Sequence, residues 1–240
     1  MFICLVIYNF LKTGTNQYNI FNKGGKSMVT TSLKNRDIFK ITDEDDLITH
    51  YGCDQEWYMT EWQRNSGCGP TVVTTIMHYL NSMHAHPNNI AAPTSKTEAL
   101  LMMEDVWQYV TPTIHGIPTT KLLYDYVVVY AKAKALNIKL GFINIEDNQL
   151  TRPEFHHLLL FLYTALENDT PIAFLNLDNG DEKGLDSWHW VTIISLEYTA
   201  DGSSALIDIL DAGIIKKINL AKWFYTTTLG GGFVSFDLLA

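Results

Sequence analysis

A cysteine between two glycines, a histidine between two tryptophans and an aspartate closing an apolar run are the residues of this sequence best suited to chemistry. They are Cys68 in Asn65-Ser66-Gly67-Cys68-Gly69-Pro70-Thr71, His189 in Trp188-His189-Trp190, and Asp211 before Ala212-Gly213. A thiol whose proton can pass to an imidazole, with a carboxylate fixing the imidazole tautomer, is equipped to attack a carbonyl carbon and form a thioester. Taken singly, each residue has a plainer explanation, since lone cysteines and histidines usually pack in cores. Their combination favours the functional reading.

The cysteine needs a helix to present it. Pro70 suits the first helical position, where its missing N–H costs nothing, and Val72, Val73, Ile76, Met77 and Leu80 recur at helical spacing. The spacing predicts one core-facing side. At the start of such a helix, unpaired N–H groups and the positive end of the dipole favour thiolate, the reactive form. The flanking glycines would let a substrate backbone approach the sulfur.

The histidine needs a strand. Trp188 to Leu196 is rich in aromatic and β-branched residues, and a period of two puts His189, Val191 and Ile193 on one face. Asp201-Gly202-Ser203-Ser204 predicts a turn that returns the chain along Ala205 to Leu210. Asp211 then follows on the face of Ile207 and Ile209, whereas Asp208 falls on the opposite face.

The run NSGCGPT with its following helix, WHWVTI and the terminal Asp211 together resemble the papain-like cysteine peptidases. The resemblance spans roughly Gln55 to Leu239 and is greatest to the bacterial group related to the bacteriocin-processing, double-glycine-leader peptidases. It implies an α+β fold in which a helical half bearing the nucleophile packs on a mostly antiparallel sheet bearing His189 and Asp211. It also implies a glutamine before the cysteine that helps stabilise an oxyanion. Gln63, five residues before Cys68, is the candidate and Asn65 its competitor; the family's separation is slightly longer. Ala212 stands where a proline often follows the acidic residue. The implied activity is hydrolysis of a peptide or protein substrate without cofactor or metal. The residues by themselves imply only acyl transfer through a thioester, so a transglutaminase-like acyltransferase and a non-catalytic binding module that retains the fold stay open.

Composition bounds the remainder. With 240 residues, 47% of them hydrophobic, the chain can bury one sizeable core. A formal charge of −9 and the lack of any Lys/Arg-rich run argue against nucleic acid as a partner. Cys4, Cys53 and Cys68 make an odd set with no zinc-ligand spacing, so at least one thiol should be free. Phe2 to Leu11 is apolar but too short to span a bilayer. Residues 1–27 are expected to be an extension without fixed structure. Lys23-Gly24-Gly25 can be encoded as a bacterial ribosome-binding sequence, which would make Met28 the true start and 28–240 the single domain. Cytoplasm is the default location, with secretion the outcome if residues 1–27 act as a weak signal.

Between these landmarks, helices are expected from Thr94 or Ser95 to Val110, over 118–135 and from about Thr151 to Glu167. Strands are expected over 138–145, 172–177 and 233–238. Asp43 to Asp46 should be a solvated acidic face, and Asp178 to Asp186 a mobile acidic rim. Trp57 and Trp62 either wall the cleft or pack beneath a loop.

Overall fold

The structure, a computed structural model, describes residues 20–23, 26–83 and 93–239. It is an α+β fold built around one strand. Strands β1 (Ile20–Lys23) and β2 (Lys26–Ser32) form a hairpin, and a separate pair, β3 (Lys40–Thr42) and β4 (Thr49–Tyr51), forms a small second sheet. Helices α1 (Glu61–Ser66), α2 (Cys68–Met83), α3 (Lys96–Trp107) and α4 (Thr120–Ala133) follow. Strand β5 (Ile138–Ile145), helix α5 (Phe155–Glu167), and strands β6 (Ile172–Asn176), β7 (His189–Thr199), β8 (Ala205–Asp211) and β9 (Ile214–Asn219) come next. Helix α6 (Leu220–Thr226) and strand β10 (Gly231–Leu238) complete the chain.

All pairings among the described strands are antiparallel, and β7 has three partners. One edge carries β8 and then β9. The other edge is shared: its first half pairs with β6, continuing to β10 and β5, while its second half pairs with β2. An eleven-residue strand is long enough for this division, and a register shift between Ile193 and Ser195 lies where the partner changes. Residues 1–19, 24 and 25 lie outside the described residues. Residues 20–23 and 26–27, assigned from sequence to an extension without structure, belong to the β1–β2 hairpin, and β2 runs through Met28.

Helix α2 differs from the one-sided helix its spacing predicts. Every residue from Gly69 to Asn81 is buried, so α2 is the central helix and has no solvent face. Its polar side is made of threonines that find local partners: Thr74 Oγ1 donates to Pro70 O at 2.9 Å, and Thr75 Oγ1 accepts from Cys53 N at 3.2 Å. The apolar side, with Val72, Val73, Ile76, Met77 and Leu80, joins Ile193, Ile194, Phe174 and Phe233 in the main core. Ile41, Cys53, Trp57, Tyr58, Ala99, Met103 and Trp107 form a smaller core under the second sheet.

The acidic run is not simply a solvated face. Asp43 is buried and pairs with Lys96 at 2.7 Å, which anchors the β3–β4 turn to the start of α3. The Asp178–Asp186 loop is likewise tied down. Asp178 accepts from the backbone N–H of Gly180 at 2.7 Å, Thr228 at 2.8 Å and Leu229 at 3.0 Å, and Asn179 Nδ2 donates to Leu185 O at 3.2 Å. Trp57 is buried with its ring edge-on to His50, and the half-exposed Trp62 meets Trp107 edge-on; both are packing residues.

Candidate active site

Cys68 is the first residue of α2, separated from the end of α1 by Gly67 alone. The break is at Gly67, where a Cβ would stand 2.4 Å from Gln63 O and 2.8 Å from the Tyr58 ring. A Cβ on Gly69 would lie 2.7 Å from Ile117 Cδ1. Both glycines therefore serve the close packing of this chain against itself, where the sequence suggested room for a substrate. Cys68 remains partly exposed while its neighbours on either side are buried.

His189 opens β7 and sits opposite Asn176 of β6. Asn176 is fully buried; its amide donates to Asp186 O at 2.7 Å and accepts from Trp223 Nε1 at 2.7 Å. Asn176 thus holds the incoming loop and sets where β7 begins. Trp188, immediately before, has φ of 56° and a 60% exposed side chain, an unusual conformation for a bulky residue. Trp190 donates from Nε1 to Ile117 O at 2.8 Å, which ties β7 to the loop beneath Gly69.

Asp211 ends β8. The next two residues, Ala212 (φ 49°) and Gly213 (φ 72°), make a tight turn with both φ positive, the kind that matches strand twist in a two-residue hairpin. Ala212, at the position where the resemblance leads one to expect proline, must adopt a left-handed backbone that proline cannot reach. The turn is held from outside as well: Tyr51 N donates to Gly213 O at 2.7 Å.

These elements bring His189 Nε2 to 2.8 Å from Asp211 Oδ1. The second carboxylate oxygen, Oδ2, accepts from Lys216 Nζ at 2.6 Å. Asp211 is buried, and both its oxygens are used. Burial alone would favour the neutral carboxylic acid, but the hydrogen bond and charge of His189, with Lys216 behind it, keep the carboxyl below its ordinary range. The imidazole shows the converse balance. Burial lowers its pKa, while the Asp211 hydrogen bond and the adjacent Cys68 sulfur raise it, and the net result is about 10. With Nε2 given to Asp211, the remaining ring nitrogen Nδ1 is the one available to the sulfur.

Cys68, His189, Asp211 and Lys216 line one cleft, with a volume of about 160 Å³. Its rim includes Asp54, Gln55 and Glu56, brought there by the bond from Cys53 N to Thr75 Oγ1, and Asp186, brought there by Asn176. A larger concavity of about 710 Å³ lies between Arg152–Leu160, the Tyr198–Gly202 turn and Phe224–Tyr225. It contains no cysteine, so the smaller cleft is the candidate site.

Gln63 does not line the cleft. Its side chain closes a capping box on α1: Oε1 accepts from Thr60 N at 3.2 Å, Thr60 Oγ1 accepts from Gln63 N at 3.2 Å, and Nε2 donates to Glu104 at 2.8 Å. Asn65 is exposed and also outside the cleft. Gln55 is the glutamine on the rim. Its Nε2 donates to Arg64 O at 2.9 Å, and its buried Oε1 has no hydrogen-bond partner among the described residues. Lys216 was also missed from sequence, although alternation across the β8–β9 hairpin, Ile209 facing Lys216, places it on the face of Asp211. No group of three or more His, Cys, Asp or Glu among the described residues could hold a metal ion, and no described helix is long and apolar enough to cross a membrane.

No family model matches this chain, and no curated protein matches it. Among solved structures it is similar to the crystal structure of UfSP from C. elegans, at 10% sequence identity and a TM-score of 0.47. The match covers 96% of this chain and 37% of that one, so the chain spans little more than a third of the matched structure's length. At that likeness the match assigns neither family nor activity.

Proposed function

We propose that this protein is a papain-like cysteine peptidase that hydrolyses peptide bonds through Cys68, His189 and Asp211. The observation that carries the reading is the 2.8 Å bond from His189 Nε2 to Asp211 Oδ1 in the cleft that Cys68 lines. A partly buried imidazole held this way has one nitrogen left for the thiol that lines the same cleft.

In the reaction, with the Cys68 proton already held on His189, the sulfur attacks the scissile carbonyl carbon, placing the displaced electron pair on the carbonyl oxygen. Collapse breaks the C–N bond, and His189 returns the proton to the leaving amine, which leaves a thioester. Water then attacks the thioester with His189 as base, the C–S bond breaks, and the acid product and free thiol are restored. Asp211 holds the ring and stabilises its cationic form. The oxyanion would meet the Cys68 N–H in the first turn of α2. Gln63 was the sequence candidate for a second donor, and its enclosure in the Thr60 cap and on Glu104 weighs against that role.

A peptide library incubated with the protein and analysed by mass spectrometry tests the proposal. New free carboxyl termini that vanish in Cys68→Ala and in His189→Ala are expected. Transfer of the acyl group to added amine without hydrolysis would replace the peptidase by an acyltransferase. No turnover of any peptide, with a Cys68 unreactive toward an epoxide probe, would leave a non-catalytic module.

A further inference from the structure

We propose that Lys216 is a positioning residue of this site, locking the Asp211 carboxylate toward His189 and setting the pH window in which the site works. The inference rests on the peptidase reading for its kinetic consequence but on geometry for its content. Asp211 has two oxygens and two partners, Lys216 at 2.6 Å and His189 at 2.8 Å, so the carboxylate cannot rotate without breaking one bond. Lys216 stands on β9, across the hairpin from Ile209, and its side chain runs along the sheet face toward the end of β8.

The next lysine provides an internal comparison. Lys217 falls on the opposite face and pairs with Asp208, which Arg36 also contacts, in a surface ion-pair cluster away from the cleft. Lys216, by contrast, is the sole lysine or arginine lining the cleft among the described residues, and its charge is directed at the carboxylate that His189 contacts. The other titratable groups there are Cys68 on α2, Asp54 and Glu56 on the rim turn, Asp186 on the loop, and His50 of β4 against Gly213. None of these is a lysine or arginine that could replace Lys216.

The sign of the effect follows from charge. Without the ammonium, Asp211 loses a stabilising neighbour and takes up a proton more readily. The imidazolium of His189 in turn loses a repulsive neighbour and faces a less compensated carboxylate, so it holds its proton more tightly. Both changes move the working range toward alkaline pH.

The experiment compares wild type, Lys216→Met and Lys216→Arg in two measurements, the pH profile of kcat/KM on a cleaved peptide and the NMR titration of the His189 ring. In Lys216→Met, both limbs of the profile and the ring titration should move up by about one pH unit, and Lys216→Arg should restore them. A methionine variant that melts earlier but keeps the wild-type limbs and ring titration would overturn the proposal. If wild type cleaves no peptide, the peptidase reading fails by itself, and the ring titration still decides the role of Lys216.

Discussion

His189 and Asp211 sit at the same end of one antiparallel pair: the histidine begins β7, the aspartate ends β8, and the bond between them closes the ladder at the mouth of the cleft. A carboxylate at that point is part of the sheet's geometry as well as of its chemistry.

Replacing Asp211 by asparagine keeps the shape but changes the tautomer and removes the charge. Lys216 would then face a neutral amide in a buried setting. Turnover should fall by about 10³-fold or more while the fold survives, as judged by circular dichroism. Near wild-type kcat would show that the carboxylate does not matter to the reaction.

The two described thiols should react very differently. Cys53 is buried, and burial pushes its thiol up to about 12, so it stays protonated and shielded. Iodoacetamide at neutral pH should label Cys68 quickly and Cys53 only after unfolding, with peptide mapping as the readout. Cys4 lies outside the described residues, and its Cys4→Ser variant simplifies the count. Equal labelling of Cys53 and Cys68 in the native protein would contradict this burial.

The stability of the site depends on pH with a definite sign. The folded pKa of His189, about 10, exceeds its ordinary 6.5. Its contribution is therefore fully present below about pH 6.5 and is lost as pH rises through 10. Asp211 is depressed, so its share is present above the usual carboxylate range and disappears as pH falls through its lowered value. The Tm difference between wild type and His189→Ala should shrink steadily on going from neutral to strongly alkaline buffer. A constant difference would mean that the imidazole is not charged in the fold. Cys68→Ala should also lower the ring pKa, because the sulfur is one of the groups raising it.

The turn after Asp211 leaves little freedom for substitution. Gly213 has φ of 72°, and a Cβ there would lie 2.6 Å from His50 Nδ1. Gly213→Ala should cost about 1 to 3 kcal/mol in chemical denaturation, from backbone strain and from the displaced ring. Ala212→Gly relieves a left-handed alanine and should be neutral or stabilising, because that conformation costs an L-residue about 1 to 2 kcal/mol. An opposite ranking of the two variants would refute the turn geometry.

The cleft should also sort substrates by charge. Asp54, Glu56 and Asp186 line it, and its lysine is already committed to Asp211. Peptides with Lys or Arg beside the scissile bond should show kcat/KM about tenfold above acidic counterparts at low salt, and the gap should close as salt screens the rim. A preference for acidic peptides would reverse the reading of the rim.

Much of the fold follows from local pattern. Ile138–Ile145 is the strand its alternation predicts, and β6, β7 and β8 start and end within a few residues of expectation because turn residues punctuate them. The sharing of β7 between β6 and β2 joins segments remote in sequence, and no local period encodes it. The complete burial of α2 was hidden for a related reason. Threonines read as a polar face until one sees that Pro70 O and Cys53 N satisfy two of them. Gln63 is different, because Thr60-Glu61-Trp62-Gln63 spells a capping box and that reading was open to the sequence. Proximity to Cys68 along the chain drew attention away from it. The burial of Asp43 depends on Lys96, again a partner that only folding brings near.

The separation of Cys68 from β7 and β8 bears on how such a protein is made. The thiol leaves the ribosome well ahead of the strands that carry the imidazole and the carboxylate. Until then the sulfur has neither the imidazole nor the carboxylate beside it. The three groups would meet in one step, with the closure of the β7–β8 hairpin.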